Sequence, residues 1–470
     1  MSKNGKDAQK QLNPHEIEGL RSKLKGQLLL PEDEGYDEAR AIWNAMINRK
    51  PSLIIQCENT QDVVEGVNFA RNHHLLLAIK GGGHNVAGKA VCEGGLMLDL
   101  SLMRNVEVNP EKQTVRVEAG CLLSDIDKET QEHGLAVSGG IVSHTGVSGL
   151  TLGGGFGWIS RKHGLSIDNL LAAEVVTADG QIITASGKEN PDLFWGLRGG
   201  GGNFGVVTSF EFQCAEVGPE VFSGLIIQRF EDAKAYMQFH AEYVRTLPDD
   251  MTVWMVVRPA PPLPFLDPGV HGKLVIVVPF VYLGDQEKGE KLIQPIREFG
   301  KPHGEALGMN PWIAWQAGFD GLNSHGARNY WKSHHLKDLS SACIDKVIEF
   351  VKNIPGPNCE VFIPHMEGAP ARVSEDETAY AFRKTPFVLN IHTRWENPAE
   401  DQNYIGWASE FFNQTKSFAN GVYVNFLSDE GEERVKQAYT TKAWERLVAL
   451  KNKYDPTNLF RMNQNIRPTA

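Results

Sequence analysis

The stretch that decides the fold is Ile79–Gly88, "IKGGGHNVAG", which continues the apolar run "LLLAI". Consecutive glycines let the backbone adopt positive φ and approach a ligand closely. Successive N–H groups in such a turn form a nest that binds anions. A single histidine, His84, follows the glycines, and a plain phosphate-binding loop does not need an imidazole. The loop therefore predicts a site that binds an anionic ligand and also uses the histidine.

Two further glycine loops follow within the same segment of the chain. They are Ser138–Gly157, "SGGIVSHTGVSGLTLGGGFG", and Leu197–Gly205, "LRGGGGNFG". The last loop fits the pattern G-x-G-x-x-G, but β-branched residues follow it where a Rossmann fingerprint needs a helix. Glycine enrichment in several loops of one segment predicts a backbone that wraps one large ligand.

Composition bounds the class of protein. A chain of 470 residues has room for about two or three domains. Its net charge of −11 argues against a nucleic-acid or anionic membrane surface. The chain has no apolar run of the roughly 18 residues that span a membrane, and its first 19 residues are polar, without an apolar signal region. Six scattered cysteines without a C-x-x-C pair predict no disulfide framework or zinc site and a cytoplasmic location.

Residues 52–80 predict a strand–helix–strand unit that opens onto the first glycine loop. The helix is "TQDVVEGVNFARNHH", with Thr60 as its expected N-cap. Further along, "AAEVVTADGQIITAS" predicts a hairpin that turns at Asp179-Gly180. This alternation predicts one α+β domain that ends near Cys214.

From Glu216 onward the pattern changes to longer helices and longer strands. Runs such as "KLVIVVPFVYL" and "PFVLNIHTRW" suit an antiparallel sheet with one face open to a cavity or to solvent. The run "GVYVNFL" is predicted to be another strand, which would place Tyr423 and Asn425 on one face. The adjacent pair His334-His335 lacks metal-site spacing and is predicted to be solvated.

Four motifs, taken in their order along the chain, resemble those of a known protein family. The three glycine loops and the C-terminal "KYDPTNLFRMNQNI" make the chain similar to the berberine-bridge-enzyme-like flavoprotein oxidases of the vanillyl-alcohol-oxidase/p-cresol-methylhydroxylase (PCMH) superfamily. The resemblance implies an α+β fold with a PCMH-type FAD-binding domain in two parts, residues 1–215 and 426–470. Between them it implies an inserted α+β substrate domain, residues 216–425, built on an antiparallel sheet.

The resemblance also implies how FAD is held. In this family the loop histidine is bonded to the flavin 8α-methyl carbon, and His84 stands at that position. Some members carry a second bond from a cysteine, but Val142 occupies that place, so the resemblance implies a single link. The residues implied to bind FAD are Lys80, Gly81, Gly82, Gly83, His84, Asn85, Gly88, Gly139, Thr145, Gly146, Gly149, Gly153, Gly154, Gly155, Gly157, Val207, Asn463 and Asn465.

Candidate catalytic residues follow from the same resemblance and from the strand patterns. Asn390 stands where plant members have a catalytic Glu or Gln, and an amide can orient a hydroxyl or an amine but cannot act as a base. Phe156 replaces a tyrosine that helps to deprotonate substrate in plant members, and Thr145 occupies the position that gates oxygen. The remaining candidates are Tyr423, Asn425, Tyr330 and Lys332.

The resemblance implies an FAD-dependent oxidase that removes hydride from a CH–OH or CH–NH group. Reduced flavin would pass its electrons to O2 and give H2O2. A dehydrogenase with another acceptor and a catalytically silent flavoprotein stay open as alternatives. The expected partners are a small-molecule substrate and O2, with no nucleic acid or membrane, for a monomer or homodimer.

Overall fold

The computed structural model describes residues 12–469. Its helices are α1 (Pro14–Arg21), α2 (Tyr36–Arg40), α3 (Thr60–Asn72), α4 (Leu123–Gln131), α5 (Val147–Leu152), α6 (Ser160–His163), α7 (Pro191–Leu197), α8 (Ala233–Tyr243), α9 (Gln286–Arg297), α10 (Trp312–Ala317), α11 (Ser341–Val351), α12 (Ala369–Arg372), α13 (Asp401–Thr415), α14 (Glu432–Lys436) and α15 (Thr441–Tyr454). Short 3-10 helices lie at Ser166–Asp168, Phe230–Asp232, Val244–Thr246, Pro268–Val270, Asp320–Asn323, Pro398–Glu400, Lys416–Phe418 and Val424–Phe426.

The first sheet delivers the chain to the first glycine loop. Its strands are β1 (Gln27–Leu29), β2 (Leu53–Gln56), β3 (Leu77–Lys80) and β4 (Leu96–Asp99), in the order β1-β2-β4-β3. Strands β2 and β3 both run parallel to β4 and are connected by α3, as the strand–helix–strand pattern predicts. The N-cap prediction was wrong by one residue, because the Asn59 side chain accepts from the Asp62 N–H and Thr60 is already helical.

The second sheet carries the other two glycine loops between its strands. Strands β5 (Val106–Asn109), β6 (Thr114–Glu118), β8 (Leu170–Val176), β9 (Ile182–Ser186) and β10 (Val206–Gln213) form it in the order β5-β6-β10-β8-β9. The short β7 (Leu135–Ala136) pairs separately with β11 (Ala215–Glu216). Strands β8 and β9 form the predicted hairpin, and Gly180 adopts a φ of 83° in its turn.

The third sheet is antiparallel throughout and lies in the inserted segment. It comprises β12 (Glu220–Arg229), β13 (Met251–Val253), β14 (Met255–Pro259), β15 (Leu274–Tyr282), β16 (Gly304–Pro311), β17 (Arg328–Leu336), β18 (Glu360–Ile363), β19 (Phe387–Trp395) and β20 (Ala419–Gly421). Their order is β16-β12-β15-β14-β18-β19-β17-β20, and β13 pairs with β15.

The two faces of the third sheet have different neighbours. Along β15, Ile276, Val278 and Phe280 share one core cluster with residues of α8, α9, α11 and α13. The alternate residues Val277 and Pro279 line a cavity on the other face. The period of two that the strand sequence shows therefore separates a helix-covered face from a cavity face.

Two local predictions were wrong. The run containing Tyr423 and Asn425 is not a strand, because β20 ends at Gly421 and a 3-10 helix covers Val424–Phe426. His334 and His335 are buried, not solvated, since the strand that carries them is covered on both faces. His334 stacks on Phe412 with ring centroids 4.3 Å apart.

Two further features bear on the class of protein. All six cysteines are buried and free of disulfides. Among residues 12–469, no helix combines the length and the apolar character needed to cross a bilayer. The proposed domain limits at residues 215 and 425 stay predictions.

Candidate active site

One cavity of about 600 Å³ lies between the glycine loops and the third sheet. Its size is within the usual range for cofactor and substrate sites. The first, second and third glycine loops form one wall, and strands β14, β15, β18 and β19 form the opposite wall. The cavity is therefore shared between the predicted cofactor domain and the inserted sheet.

The first glycine loop lines the cavity with Gly81, Gly82, Gly83, His84 and Asn85. The absence of a side chain at Gly82 lets the loop pack directly against the second loop, because a Cβ there would overlap the backbone of Gly146. The loop itself thus needs glycine for close approach of two backbones, as well as for access to a ligand.

Two residues of this loop that were predicted to bind FAD do not line the cavity. The Lys80 ammonium donates to the Ala39 carbonyl oxygen at 2.6 Å and lies 3.3 Å from a carboxylate oxygen of Asp99. Gly88 turns the chain at a φ of 68° and faces Ile47. Neither lines the cavity, so both position the loop rather than contact a ligand.

Only some residues of the second glycine loop line the cavity. Thr145, Gly146 and Gly149 line the cavity, as does Val142. The other glycines assigned to FAD binding in this loop do not line it, and they are Gly139, Gly153, Gly154, Gly155 and Gly157.

The glycines of the "GGGFG" turn serve protein packing. A Cβ on Gly153 would overlap the Asn425 amide, and one on Gly157 would overlap the Gly139 carbonyl. Gly154 and Gly155 adopt φ values of 136° and 75°, which side chains rarely tolerate. The expectation that these glycines contact FAD is therefore corrected, because they allow the turn to pack under the catalytic candidates.

His84 is held in a fixed orientation. Its ring stacks on Trp43 with centroids 4.6 Å apart and planes 18° apart. Its Nε2 lies 2.9 Å from Nδ1 of His144, and the exposed His325 is the next ring outward, 5.1 Å from His144. Burial lowers the pKa of His84 well below its usual value, and the neighbouring His144 lowers it further. The imidazole is therefore neutral, which leaves one nitrogen lone pair available as a nucleophile.

The third loop and the C-terminal segment close the cavity. Val207 and Asn463 line it, whereas Asn465 does not. The buried Asn463 Oδ1 has no hydrogen-bond partner among the described residues. Glycine backbone from three loops, an unpartnered amide and a neutral imidazole are what a large planar cofactor with an anionic diphosphate needs. The residues therefore fit FAD.

Tyr423 and Asn425 both line this cavity and contact each other, despite the 3-10 helix that replaces the predicted strand. The Tyr423 hydroxyl oxygen accepts from the Gly155 N–H and from the Asn425 amide, each at 2.9 Å. Burial raises the pKa of Tyr423 to about 12, although both donors act in the opposite direction. Since its oxygen already accepts twice, the phenolic O–H is free to donate to a substrate.

Strands β17 and β19 separate the remaining candidates by register. Asn390 lines the cavity together with Trp331 and His392, and its Oδ1 has no partner among the described residues. Tyr330 and Lys332 alternate with Trp331 along β17, so they project to the helix-covered face.

The catalytic assignment of Tyr330 and Lys332 is therefore corrected. The Lys332 ammonium lies 2.6 Å from a carboxylate oxygen of Glu430, whose side chain is 8% exposed. The Tyr330 hydroxyl lies 3.3 Å from the Ser409 hydroxyl of α13. Both polar groups have partners on the helix-covered face, and neither lines the cavity.

Three residues that line the cavity were not predicted from the sequence. Arg258 donates to Glu360 at 2.6 Å, and His392 Nδ1 lies 3.4 Å from the same carboxylate. Burial acts to raise the pKa of Glu360, but Arg258 and then His392 outweigh it and lower that pKa to about 2. The available signals were charged residues inside the apolar runs "VWMVVRP" and "EVFIPHM", and a histidine two positions after Asn390.

His392 is well placed to take up a proton. Its Nε2 lies 3.3 Å from Oδ1 of Asn329, and that amide is oriented by donating to the Ala327 carbonyl oxygen. Both ring nitrogens therefore face an oxygen atom, although a neutral imidazole has only one N–H. Burial lowers the pKa of His392 below its usual value although Glu360 acts to raise it, so the resting imidazole is neutral and can accept a proton.

Comparison with known proteins identifies the family. Residues 51–186 match the family "FAD binding domain", and residues 422–467 match "Berberine and berberine like". The chain is 31% identical over 430 residues to an FAD-linked oxidoreductase of Dictyostelium discoideum, covering 91% of each chain.

Solved structures agree with this. The crystal structure of 6-hydroxy-D-nicotine oxidase from Arthrobacter nicotinovorans matches with a TM-score of 0.83 and 26% identity, covering 94% of this chain and 98% of that one. Glucooligosaccharide oxidase from Acremonium strictum, described with a 6-S-cysteinyl, 8α-N1-histidyl FAD, matches with a TM-score of 0.84 and 24% identity over 97% and 99% of the two chains. The predicted fold class is confirmed. The chain belongs to the berberine-bridge-enzyme-like family of FAD-linked oxidoreductases.

Proposed function

We propose that the protein is an oxidase that carries FAD bonded to His84 and oxidises a CH–OH or CH–NH group of a small molecule, with O2 as the electron acceptor. One observation carries the proposal. The same cavity is lined by the neutral His84 of the first glycine loop, by Asn390 and His392 of β19, and by Tyr423. A flavin attached at the loop would therefore share its cavity with groups that can orient a substrate.

Each group has a defined part in this proposal. FAD, when bound, supplies the hydride acceptor and the reaction with O2. The Asn390 carbonyl oxygen accepts from the substrate O–H or N–H, and the Tyr423 hydroxyl donates to the same heteroatom. His392, with both nitrogens facing oxygen atoms, holds the proton that leaves the heteroatom. Aromatic side chains such as Trp254, Phe156 and Phe426 line the same cavity and exclude water.

A substrate screen tests the proposal directly. The purified protein is mixed in aerated buffer with panels of secondary alcohols, sugars and cyclic amines, and H2O2 release is followed. We expect turnover with peroxide formed in a one-to-one ratio to product. Turnover that needs an artificial acceptor, with slow reoxidation by air, would instead indicate a dehydrogenase.

Removing the Tyr423 hydroxyl should slow flavin reduction. We expect Tyr423→Phe to lower the rate of reduction by substrate by about 10²-fold, the usual scale for one acid–base or orienting group. Anaerobic stopped-flow absorbance measures this rate. Tyr330→Phe is the matched control, because it deletes the same hydroxyl on the helix-covered face. Equal rates of flavin reduction in the two variants would show that the Tyr423 hydroxyl takes no part in the reaction.

Enlarging Thr145 should affect the other half-reaction. Thr145 lines the cavity with no side-chain hydrogen bond among the described residues, so a leucine there can fill the approach to the flavin. We expect Thr145→Leu to slow reoxidation by O2 at least about tenfold, or about 1.4 kcal/mol of barrier. Reduction by substrate should change little, and Thr145→Ser should behave as the unchanged protein. Equal slowing of both half-reactions would show that the residue only packs.

A further inference from the structure

We propose that His144 is the positioning residue for flavin attachment, and that it receives the proton that His84 loses as the bond forms. The proposal rests on the covalent link to His84 proposed above. It concerns how this chain makes the link rather than whether the link exists.

The ring of His84 has only one nitrogen free for a flavin. Its Nε2 is occupied by the contact of 2.9 Å to His144 Nδ1, whereas its Nδ1 has no hydrogen-bond partner among the described residues. Stacking on Trp43 fixes the plane of the ring. These contacts assign the new bond to Nδ1.

The contact also selects the reactive tautomer. Only one hydrogen can lie between two nitrogens that are 2.9 Å apart. If His84 carries its hydrogen on Nε2 and donates it to His144, the lone pair is left on Nδ1. His144 then carries its own hydrogen on Nε2, a buried atom without a partner among the described residues. His144 thereby holds His84 in the form that can attack.

The overall step balances with O2 as the oxidant. One C–H bond of the flavin 8α-methyl group and the N–H bond of His84 break, and one C–N bond forms. The two electrons and two protons released pass to O2 and give one H2O2, as in the proposed turnover. As Nδ1 forms its bond, positive charge develops on the ring, and transfer of the Nε2 proton to His144 removes it.

The proton also has a path out of the protein. His325 is exposed, and its ring centroid lies 5.1 Å from that of His144. Burial lowers the pKa of His325, and the neighbouring His144, Lys80 and Arg394 lower it further, so a lasting positive charge there is disfavoured. A proton that reaches the exposed His325 is therefore released to solvent rather than kept among the three rings.

The test follows the attachment reaction rather than catalysis. Full-length protein is produced in a flavin-limited host, mixed with FAD in air, and sampled for flavin fluorescence that remains on the denatured chain. We expect His144→Ala and His144→Gln to attach flavin about 10²-fold more slowly than the unchanged protein. Glutamine can accept a hydrogen bond but cannot take up the proton. Tight noncovalent binding of FAD, read from quenching of its fluorescence, should persist in both.

Chemical rescue distinguishes proton transfer from simple packing. Added imidazole should speed attachment in His144→Ala and leave the unchanged protein unaffected, whereas the exposed-ring variant His325→Ala should show a smaller loss. Attachment at the full rate in both His144 variants, or slow attachment that imidazole does not rescue, would overturn the proposal. If the unchanged protein never attaches flavin, the covalent link itself fails, which is a separate result.

Discussion

Protein with His84→Ala should release all of its flavin into the supernatant when it is denatured in acid, whereas the unchanged protein should keep its flavin on the chain. The difference is complete rather than graded, because no other contact with FAD survives unfolding. Gel fluorescence and the mass of the peptide that contains His84 measure it. His325→Ala is the matched control, since it removes a neighbouring imidazole that does not line the cavity.

The variant should nevertheless fold and bind FAD. The glycine loop is held by the close approach of Gly82 to Gly146 and by Lys80, and none of these contacts involves the imidazole. Its flavin should also have a lower reduction potential, because an 8α-imidazole withdraws electrons from the ring. Dye equilibration measures the potential, which should shift with His84→Ala and stay unchanged in the control.

A second attachment point is not expected. Val142 lines the cavity where a thiol would be needed, and none of the six cysteines lines it. Cys121 is buried, and burial raises its pKa to about 12, so it is not a thiolate. Flavin on a cysteine peptide, or full recovery of flavin from the unchanged protein in acid, would contradict the single link to His84.

The sequence predicts the cofactor half of the site better than the substrate half, for a physical reason. Loops rich in glycine can be recognised from the sequence alone, so the loop around His84 can be located without a structure. What composition cannot show is whether a glycine approaches a ligand or another segment of the chain. Gly153 and Gly157 look like ligand contacts in the sequence, but they make room for Asn425 and for Gly139.

The substrate half depends on strand register. Every residue of β19 is buried, because helices cover one face of the sheet and the cavity is enclosed on the other. Without an exposed face the strand shows no alternation of polar and apolar residues, so the sequence does not reveal which residues face the cavity and which face the helices. The same ambiguity on β17 made Lys332 look available to a substrate, when its neighbour Trp331 is the residue that lines the cavity.

The second large effect is expected from Lys451→Met, which breaks the contact that ties the C-terminal segment to the third glycine loop. The ammonium is fully buried and donates to Asp455 at 2.7 Å, to the Asn203 carbonyl oxygen at 2.8 Å and to the Phe460 carbonyl oxygen at 2.9 Å. Asn203 and Phe460 both line the cavity. The ion pair therefore joins helix α15 to two parts of the cofactor wall.

Removing one partner of a buried pair leaves the other charge buried without compensation, which costs about 3–5 kcal/mol. We expect Lys451→Met to lower the free energy of unfolding by about this amount, measured from the shift of the urea midpoint to a lower concentration. Lys453→Met is the matched control on the same helix, because Lys453 pairs with Asp192 at the surface, where ion pairs contribute about 0–1 kcal/mol.

The double variant Lys451→Met/Asp455→Asn shows which physical cause is responsible. If the cost comes from the stranded Asp455 carboxylate, removing its charge should restore part of the stability, since the one amide oxygen can still accept from one of the two N–H groups, of Leu459 and Phe460, that the carboxylate oxygens bind. If the cost comes from the lost bonds to Asn203 and Phe460, the double variant should be as unstable as the single one. In that second case FAD should also bind more weakly in a His84→Ala background, because the third loop would no longer be held against the C-terminal segment.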